Sequence, residues 1–362
     1  MNKMPDTTTE NRKRLNSCLR KRRNDIMQNT IKDISCYFPD KILTNEDLQK
    51  EFPGLKLPEL TRLTGVTQRH ICAKNKTSVD MSVAAAEKLF RESNIKKSDI
   101  DFIIFCSAGG DYITPASACI IHDQLGLPTN CGAFDYNQGC TGYIYGLSMA
   151  DSIISAGNAK NILLITSEAI TSTIHPKDSS NRAIFGDAAT ASIITKNKDN
   201  SRFGKFIFGT DGSKYDRIII KHGRERFPLP KYSEEDKIDS YGNIRNNANF
   251  YMDGSEVFNF SVTKAPELVS QLLDDNGLKF NDIDFFVFHQ ANQIILETIG
   301  KKLKVPDNKL IIDIETTGNT VSSTIPIALK NSIDQGKIKR GSILLIAGFG
   351  VGFSWGGTIL KF

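Results

Sequence analysis

The chain has 362 residues and no apolar run of the roughly 20 residues that a membrane-spanning helix requires. That absence excludes a spanning protein and makes a soluble one the expectation. The N-terminus is polar and basic and lacks an apolar core segment, so no secretory leader is read there and a cytoplasmic location is expected. CxxC spacing is also missing. The seven cysteines (Cys18, Cys36, Cys72, Cys106, Cys119, Cys131 and Cys140) are odd in number and sit mostly in apolar or strand-like surroundings. This pattern fits reduced thiols and argues against both a disulfide framework and a zinc site. Charge is scarce where it would count: the whole net of +5 falls on residues 1–26, which hold eight Lys/Arg and three acids, and the rest of the chain is neutral. This basic arm has no aromatic residue and no partner motif. Residues 1–27 therefore read as a disordered tail, and nucleic acid is excluded as a partner.

What is present is 40% hydrophobic, enough for a large core in one domain or two intimate halves. The stretch Phe134-Asp-Tyr-Asn-Gln-Gly-Cys140-Thr-Gly-Tyr-Ile-Tyr-Gly places a lone cysteine where an apolar strand (131–136) gives way to a helix. Unpaired backbone N–H groups and the positive end of a helix dipole favour a thiolate there. The helix that follows is apolar or small on nearly every face (Ile144, Leu147, Ala150, Ile153, Ile154), so it is expected to be buried. A sulfur nucleophile at the end of a buried helix suits acyl transfer through a thioester, because sulfur attacks a carbonyl and also leaves easily. The plainer reading is a cysteine that fills space.

The sequence repeats. Residues 93–105 (Ser-Asn-Ile-Lys-Lys-Ser-Asp-Ile-Asp-Phe-Ile-Ile-Phe) recur at 276–288 as Asn-Gly-Leu-Lys-Phe-Asn-Asp-Ile-Asp-Phe-Phe-Val-Phe, and Asn161-Ile-Leu-Leu-Ile-Thr-Ser recurs as Ser342-Ile-Leu-Leu-Ile-Ala-Gly. A third pair, Phe185-Gly-Asp-Ala-Ala-Thr and Trp355-Gly-Gly-Thr-Ile, runs into a strand in each half. Duplication at this scale implies two similar α/β units, here 28–200 and 201–362, with mixed, mainly parallel sheets covered by helices. The strand of the second copy runs into His289-Gln-Ala-Asn292, and functional groups in α/β folds gather beyond the carboxyl ends of strands. A further element, Thr316-Thr-Gly-Asn319-Thr-Val-Ser-Ser-Thr, forms a turn before a run of small hydroxyl residues and an apolar helix. Asn319 reads either as a local cap of the turn or as an amide donor aimed into a pocket.

A cysteine at a helix start, then His-Gln-Ala-Asn, then Gly-Asn-Thr resembles the β-ketoacyl-acyl carrier protein synthase III family of the thiolase superfamily. Leu63-Thr-Gly-Val-Thr-Gln-Arg-His70, Phe185-Gly-Asp187, Gly254-Ser-Glu-Val-Phe258 and Gly348-Phe-Gly-Val-Gly-Phe-Ser-Trp355 add to the resemblance, which covers about residues 31–362. It implies a five-layered α-β-α-β-α thiolase fold and a homodimer. It also implies that Cys140 takes an acyl group from a coenzyme A or carrier-protein thioester. His289 and Asn319 would then hydrogen-bond the thioester carbonyl of malonyl-acyl carrier protein as carbon dioxide leaves. The backbone N–H groups of Cys140 and Val351, the latter usually glycine in the family, would form the oxyanion hole. Asn292, Gly254, Phe258 and Thr114 fall at substrate-lining positions, with Thr114 contributed across the dimer. Phosphopantetheine thioesters are substrates in this scheme, and no bound cofactor is called for. The glycine-rich 348–353 segment lacks the following helix and acid of a dinucleotide fingerprint.

The sequence departs from the family at the coenzyme A clamp. The tryptophan position falls near Glu59-Leu60 and the arginine positions on Leu63, Ser179 (with Arg182 three residues on) and Ile294. Guanidinium forks and stacked rings are poorly replaced by aliphatic chains, so the expected primer is a carrier-bound or unusual acyl group rather than acetyl-coenzyme A. Residues 213–250 are polar and read as a cap over the entrance. The competing reading keeps acyl-Cys140 but passes the acyl group to a hydroxyl or amine of a specialised metabolite or sugar. An aldol-type condensation needs a glutamate in 107–111, where none stands, and a non-catalytic subunit is at odds with the Cys/His/Asn set.

Overall fold

The computed structural model describes residues 28–197, 201–229 and 235–362. The tail read at 1–27 and part of the cap lie outside the described residues. Nine strands form the two larger sheets: β1 (Gln28–Tyr37), β2 (Phe102–Cys106), β3 (Gly132–Tyr136), β4 (Asn161–Glu168), β5 (Ala188–Asn197), β6 (Arg202–Thr210), β7 (Phe285–Phe288), β8 (Ile343–Gly350) and β9 (Ser354–Lys361). The first sheet runs β1-β5-β4-β2-β3 and the second β7-β8-β9-β6. In each sheet the repeated strands pair in parallel (β2 with β4, β7 with β8) and an antiparallel strand follows.

The two copies of the repeat fold alike down to single hydrogen bonds. A short 3-10 turn precedes each strand, and its aspartate accepts from the backbone three residues earlier: Lys96 N–H to Asp99 at 3.1 Å and Lys279 N–H to Asp282 at 2.7 Å. The next aspartate fixes the neighbouring strand, Asp101 accepting from Asn161 N–H at 2.9 Å and Asp284 from Ile343 N–H at 2.8 Å. The acids of the Asp-Ile-Asp motif thus set the register that the apolar run alone leaves open.

The longer helices are α1 (Ser78–Glu92), α2 (Ser117–Leu125), α3 (Gly142–Ser155), α4 (Gly254–Asn276), α5 (Gln293–Leu303) and α6 (Thr324–Asp334). The strands are apolar on both sides because both sides are covered. On the first sheet Ile103, Phe105, Leu163 and Ile165 point outward to Leu89 of α1 and Ile121 of α2. Ile104 and Leu164 point inward, into a core shared with Tyr143 and Leu147 of α3, Ile325 and Leu329 of α6, and Leu344 and Ile346 of the second sheet. Phe286, Phe288 and Leu345 face Leu268 and Leu272 of α4 and Leu296 of α5. The order is helix, sheet, helix, sheet, helix, with α3 and α6 in the middle layer. Their N-terminal ends meet the carboxyl ends of the central strands, and the residues of interest gather there.

Candidate active site

Cys140 sits in a single 3-10 turn, Gly139–Thr141, between the end of β3 and the start of α3. Gly139 has φ +53°, and a Cβ there would stand 2.9 Å from Cγ2 of Val351, so the turn needs glycine. A Cβ on Gly350 would fall 2.7 Å from the Cys140 sulfur, which shows how closely the last residue of β8 lies over the thiol. The backbone N–H of Cys140 itself favours the thiolate, as expected of a turn that opens a helix, and so does that of Val351, which follows β8 in the second half. Burial outweighs them and, with the Glu168 carboxylate also opposing, the thiol is pushed up from 9.0 to about 12. Sequence reasoning saw the local donors and missed the desolvation: Cys140 belongs to an apolar cluster with Ile170, Phe185 and Val321.

His289 follows the last residue of β7, is 1% exposed, and is tied to the second sheet by its N–H, which donates to Ala347 O at 2.8 Å. Its ring Nδ1 lies 2.7 Å from Thr324 Oγ1 at the start of α6. Burial lowers its pKa to about 3 against the pull of the Val321 carbonyl, so the imidazole is neutral at physiological pH. Asn319 is locked on both sides. Its N–H donates to Ile184 O at 2.9 Å and its carbonyl accepts from Gly186 N–H at 3.1 Å, joining the Phe185-Gly-Asp motif to the turn. The side-chain oxygen accepts from Val321 N–H at 2.9 Å, which is the local-cap reading, and Nδ2 donates to Ala291 O at 3.3 Å, leaving one more amide hydrogen on the same nitrogen. His289 and Asn319 are therefore joined through the Ala291 loop and the Val321 turn. Val321 adopts φ +53°, an outlier for a β-branched residue of the kind found at functional turns.

The substrate-lining expectations divide. Phe258 packs on the cluster that contains Cys140, Ala291 and Val321. Gly254 opens α4 with open space where a side chain would stand. Asn292 N-caps α5, its oxygen accepting from Ile295 N–H at 2.9 Å. Thr114 is exposed in the 107–116 loop beside Tyr112 and Ile113, which are 65% and 86% exposed. The described part of the 213–250 cap lines a cavity of about 870 Å³ that includes Lys221, Phe227, Arg245 and Tyr251. Arg182, the arginine nearest the lost clamp, is committed elsewhere: it pairs with Glu51 at 2.6 and 3.0 Å and lies over the Phe52 ring.

Three residues escaped sequence reasoning. Glu168 is a carboxylate buried at the end of β4, accepting from Ser322 Oγ and Ala108 N–H at 3.0 Å each, and burial raises it to about 7. Its signal was an acid ending an otherwise apolar strand. Thr324 lay in the hydroxyl run after Asn319, where no residue stood out. Arg69 is fully buried and holds the carbonyls of Leu43 and Ala183 at 3.0 and 2.7 Å beneath the Asn319 turn. Among the described residues no group of three metal-ligating side chains occurs, and no helix is long and apolar enough to cross a membrane.

The duplicated five-layer arrangement is the thiolase fold. Residues 134–212 match the family model described as 3-oxoacyl-[acyl-carrier-protein (ACP)] synthase III, and residues 273–362 match that of its C terminal. The chain is 36% identical over 331 residues to the beta-ketoacyl-[acyl-carrier-protein] synthase III of Campylobacter concisus, covering 91% of this chain and 95% of that one. It is also 36% identical to the corresponding Coxiella burnetii protein, over 91% and 98%. A crystal structure of a 3-oxoacyl-(acyl-carrier-protein) synthase III superposes with TM-score 0.91 at 39% identity, covering 92% of this chain and all of that one. The Thermus thermophilus beta-ketoacyl-[acyl carrier protein] synthase III superposes at 0.82 with 28% identity, over 92% and 99%. The chain belongs to the 3-oxoacyl-[acyl-carrier-protein] synthase III family, acyl-transferring condensing enzymes.

Proposed function

We propose that the protein forms a 3-oxoacyl thioester by decarboxylative Claisen condensation of an acyl group held on Cys140 with malonyl-acyl carrier protein. The Cys140 sulfur attacks the donor thioester carbonyl, the oxyanion is held by the N–H groups of Cys140 and Val351, and the donor leaves as a free thiol carrying the cysteine's proton. Malonyl-carrier protein then enters. The bond to its carboxylate breaks, carbon dioxide departs, and the electron pair becomes an enolate whose oxygen is held by His289 and Asn319. One such fixed donor in a dry site is worth roughly 2.7–4 kcal/mol. The enolate carbon attacks the acyl-Cys140 carbonyl, the C–S bond breaks, and the sulfur leaves as a thiolate that takes up one proton from solvent to regenerate the cysteine.

What supports this reading is that two backbone N–H groups bond one sulfur, and that a neutral imidazole and an amide are joined through Ala291 and Val321, which share the apolar cluster of Cys140. A neutral imidazole donates a hydrogen bond without the positive charge that burial forbids. The relatives' names favour condensation over transfer to a hydroxyl or amine. The chemistry draws on thioester substrates and asks for no bound cofactor, and carrier protein is the macromolecular partner. The exposed Tyr112 and Ile113 suit a homodimer in which the loop with Thr114 reaches the other subunit's pocket, and a cytoplasmic location fits access to carrier protein. The commitment of Arg182 to Glu51 supports a donor other than acetyl-coenzyme A.

The test is incubation with a panel of acyl thioesters and malonyl-carrier protein, weighing the intact protein and measuring released carbon dioxide. An acyl adduct lost in Cys140→Ala, with carbon dioxide release, is expected. An adduct without carbon dioxide release, discharged onto a hydroxyl or amine acceptor, overturns condensation, and strict preference for the two-carbon coenzyme A primer overturns the donor assignment.

A further inference from the structure

A neutral imidazole carries one ring hydrogen, and a buried one is placed by its neighbours. Around His289 those neighbours are uncharged. Nδ1 lies 2.7 Å from the Thr324 hydroxyl, and the Val321 carbonyl is the other group bonding to the ring. The hydroxyl has two arrangements. It can donate to Nδ1, which puts the ring hydrogen on Nε2. Or it can donate to Val321 O, 3.1 Å away, and accept from Nδ1–H, which leaves Nε2 bare. The Val321 carbonyl already receives the backbone N–H of Thr324, so it does not need the hydroxyl. The shorter contact is the one to the ring.

The duplication supplies an independent observation. The residue that follows the parallel strand in the second half, His289, corresponds to Cys106 in the first, and Thr324 corresponds to Gly142, each opening its middle-layer helix. A Cβ on Gly142 would stand 2.3 Å from the Cys106 sulfur, so that half leaves no room for a side chain where the other sets a hydroxyl against an imidazole. Imidazole and hydroxyl are present together in one half and absent together from the other. Neither core packing nor helix capping asks for this pairing, since Ser323 and Thr141, the residues before the two helices, cap neither with a side chain.

We propose that Thr324 is a positioning residue that, by donating its hydroxyl hydrogen to Nδ1 of His289, keeps the ring hydrogen on Nε2, where it can meet the enolate oxygen as carbon dioxide leaves. The proposal rests on the condensation described above. A valine at 324 keeps the shape but takes the hydroxyl donor from Nδ1 and leaves the ring the Val321 carbonyl, an acceptor, so on this proposal the ring hydrogen is no longer held on Nε2 and passes to Nδ1.

The experiment pairs kinetics with nitrogen NMR of histidine-labelled protein, the His289 signals being identified by their loss in His289→Ala. Wild type and Thr324→Ser are expected to show Nε2 protonated and Nδ1 bare, and Thr324→Val the reverse. Carbon dioxide release from malonyl-carrier protein is expected to fall about tenfold to a hundredfold in Thr324→Val, less than for outright loss of an oxyanion donor. Acylation of Cys140 stays within about twofold and reports an intact fold, and Thr324→Ser restores the release. A wild-type ring protonated on Nδ1, or a valine variant with unchanged tautomer or unchanged release, overturns the proposal. Should the valine variant not fold, the wild-type and serine spectra decide alone. Absence of carbon dioxide release in the wild type would instead sink the condensation itself.

Discussion

Asn137 and Asn319 hold the same place in the two halves. Each donates its amide to a loop carbonyl, Ala108 in one and Ala291 in the other, at 3.3 Å in both. A 3-10 turn follows each, opened by a residue at φ +53°, Gly139 in the first and Val321 in the second. The next residue is Cys140 in one turn and Ser322 in the other, and here the halves part. Cys140 lies under Gly350, the last residue of β8, which has no side chain to cover the thiol. Ser322 lies against Glu168, the last residue of β4, and donates its hydroxyl to that carboxylate at 3.0 Å. One end of the duplicated scaffold sets bare backbone over a nucleophile, and the equivalent end is filled and hydrogen-bonded shut. Identical backbone geometry therefore does not make a site; the residue roofing it does.

The largest expected effect that would sharpen this contrast is loss of the sulfur. Cys140→Ala should abolish the acyl adduct in intact-mass spectra and lower condensation by at least roughly a thousandfold. Next is the roof. Gly350→Ala puts a methyl group 2.7 Å from the sulfur, and acylation should slow by about a hundredfold, since small displacements of a reacting group act on that scale. A Gly350→Ala enzyme acylated at the wild-type rate would break the comparison. At the closed end the effect should fall on stability. Glu168→Gln leaves one acceptor oxygen for Ser322 Oγ and Ala108 N–H, which each have their own in the wild type, and urea unfolding should show a loss of about 1–3 kcal/mol.

The two ends also answer pH with opposite signs. His289, held near 3 in the fold against 6.5 when unfolded, binds fewer protons in the fold, so its contribution to stability is lost as pH falls from 6.5. Glu168, held near 7 against 4.5, binds more protons in the fold, so its contribution grows as pH falls from 7 to 4.5. His289→Gln removes the first alone, and its urea midpoint relative to wild type should rise between pH 7 and pH 5; parallel midpoints would refute the assignment. The smallest change is Ser322→Ala, which removes one hydrogen bond for about 1 kcal/mol and should leave adduct formation intact.

The scaffold was legible because its signals are local and repeated. Asp-Ile-Asp before an apolar run appears twice and folds twice, and the both-sides-apolar strands announce a sheet covered on each face. Cys140, His289 and Asn319 were legible because each stands at a break between a strand or turn and a helix. Glu168 and Thr324 were not. Their meaning lies in Ser322, 154 residues from Glu168, and in His289, 35 residues before Thr324, and no spacing rule reaches that far. The thiol was misjudged in one respect for the same reason: the helix-start donor is its own backbone N–H, whereas the apolar cluster that keeps it protonated is assembled from residues 170 to 359. Asn292, expected to line substrate, spends its oxygen on capping α5, which a sequence pattern for helix starts could have told.

Gly350 sets bare backbone against one sulfur, and in the proposed condensation that one atom serves both thioesters. Donor and extender must then visit in turn: the first arm has to withdraw before the second can reach in, and the sulfur keeps the acyl group in the interval. Kinetics of the double-displacement kind follow, with each thioester, in excess, blocking the other's turn.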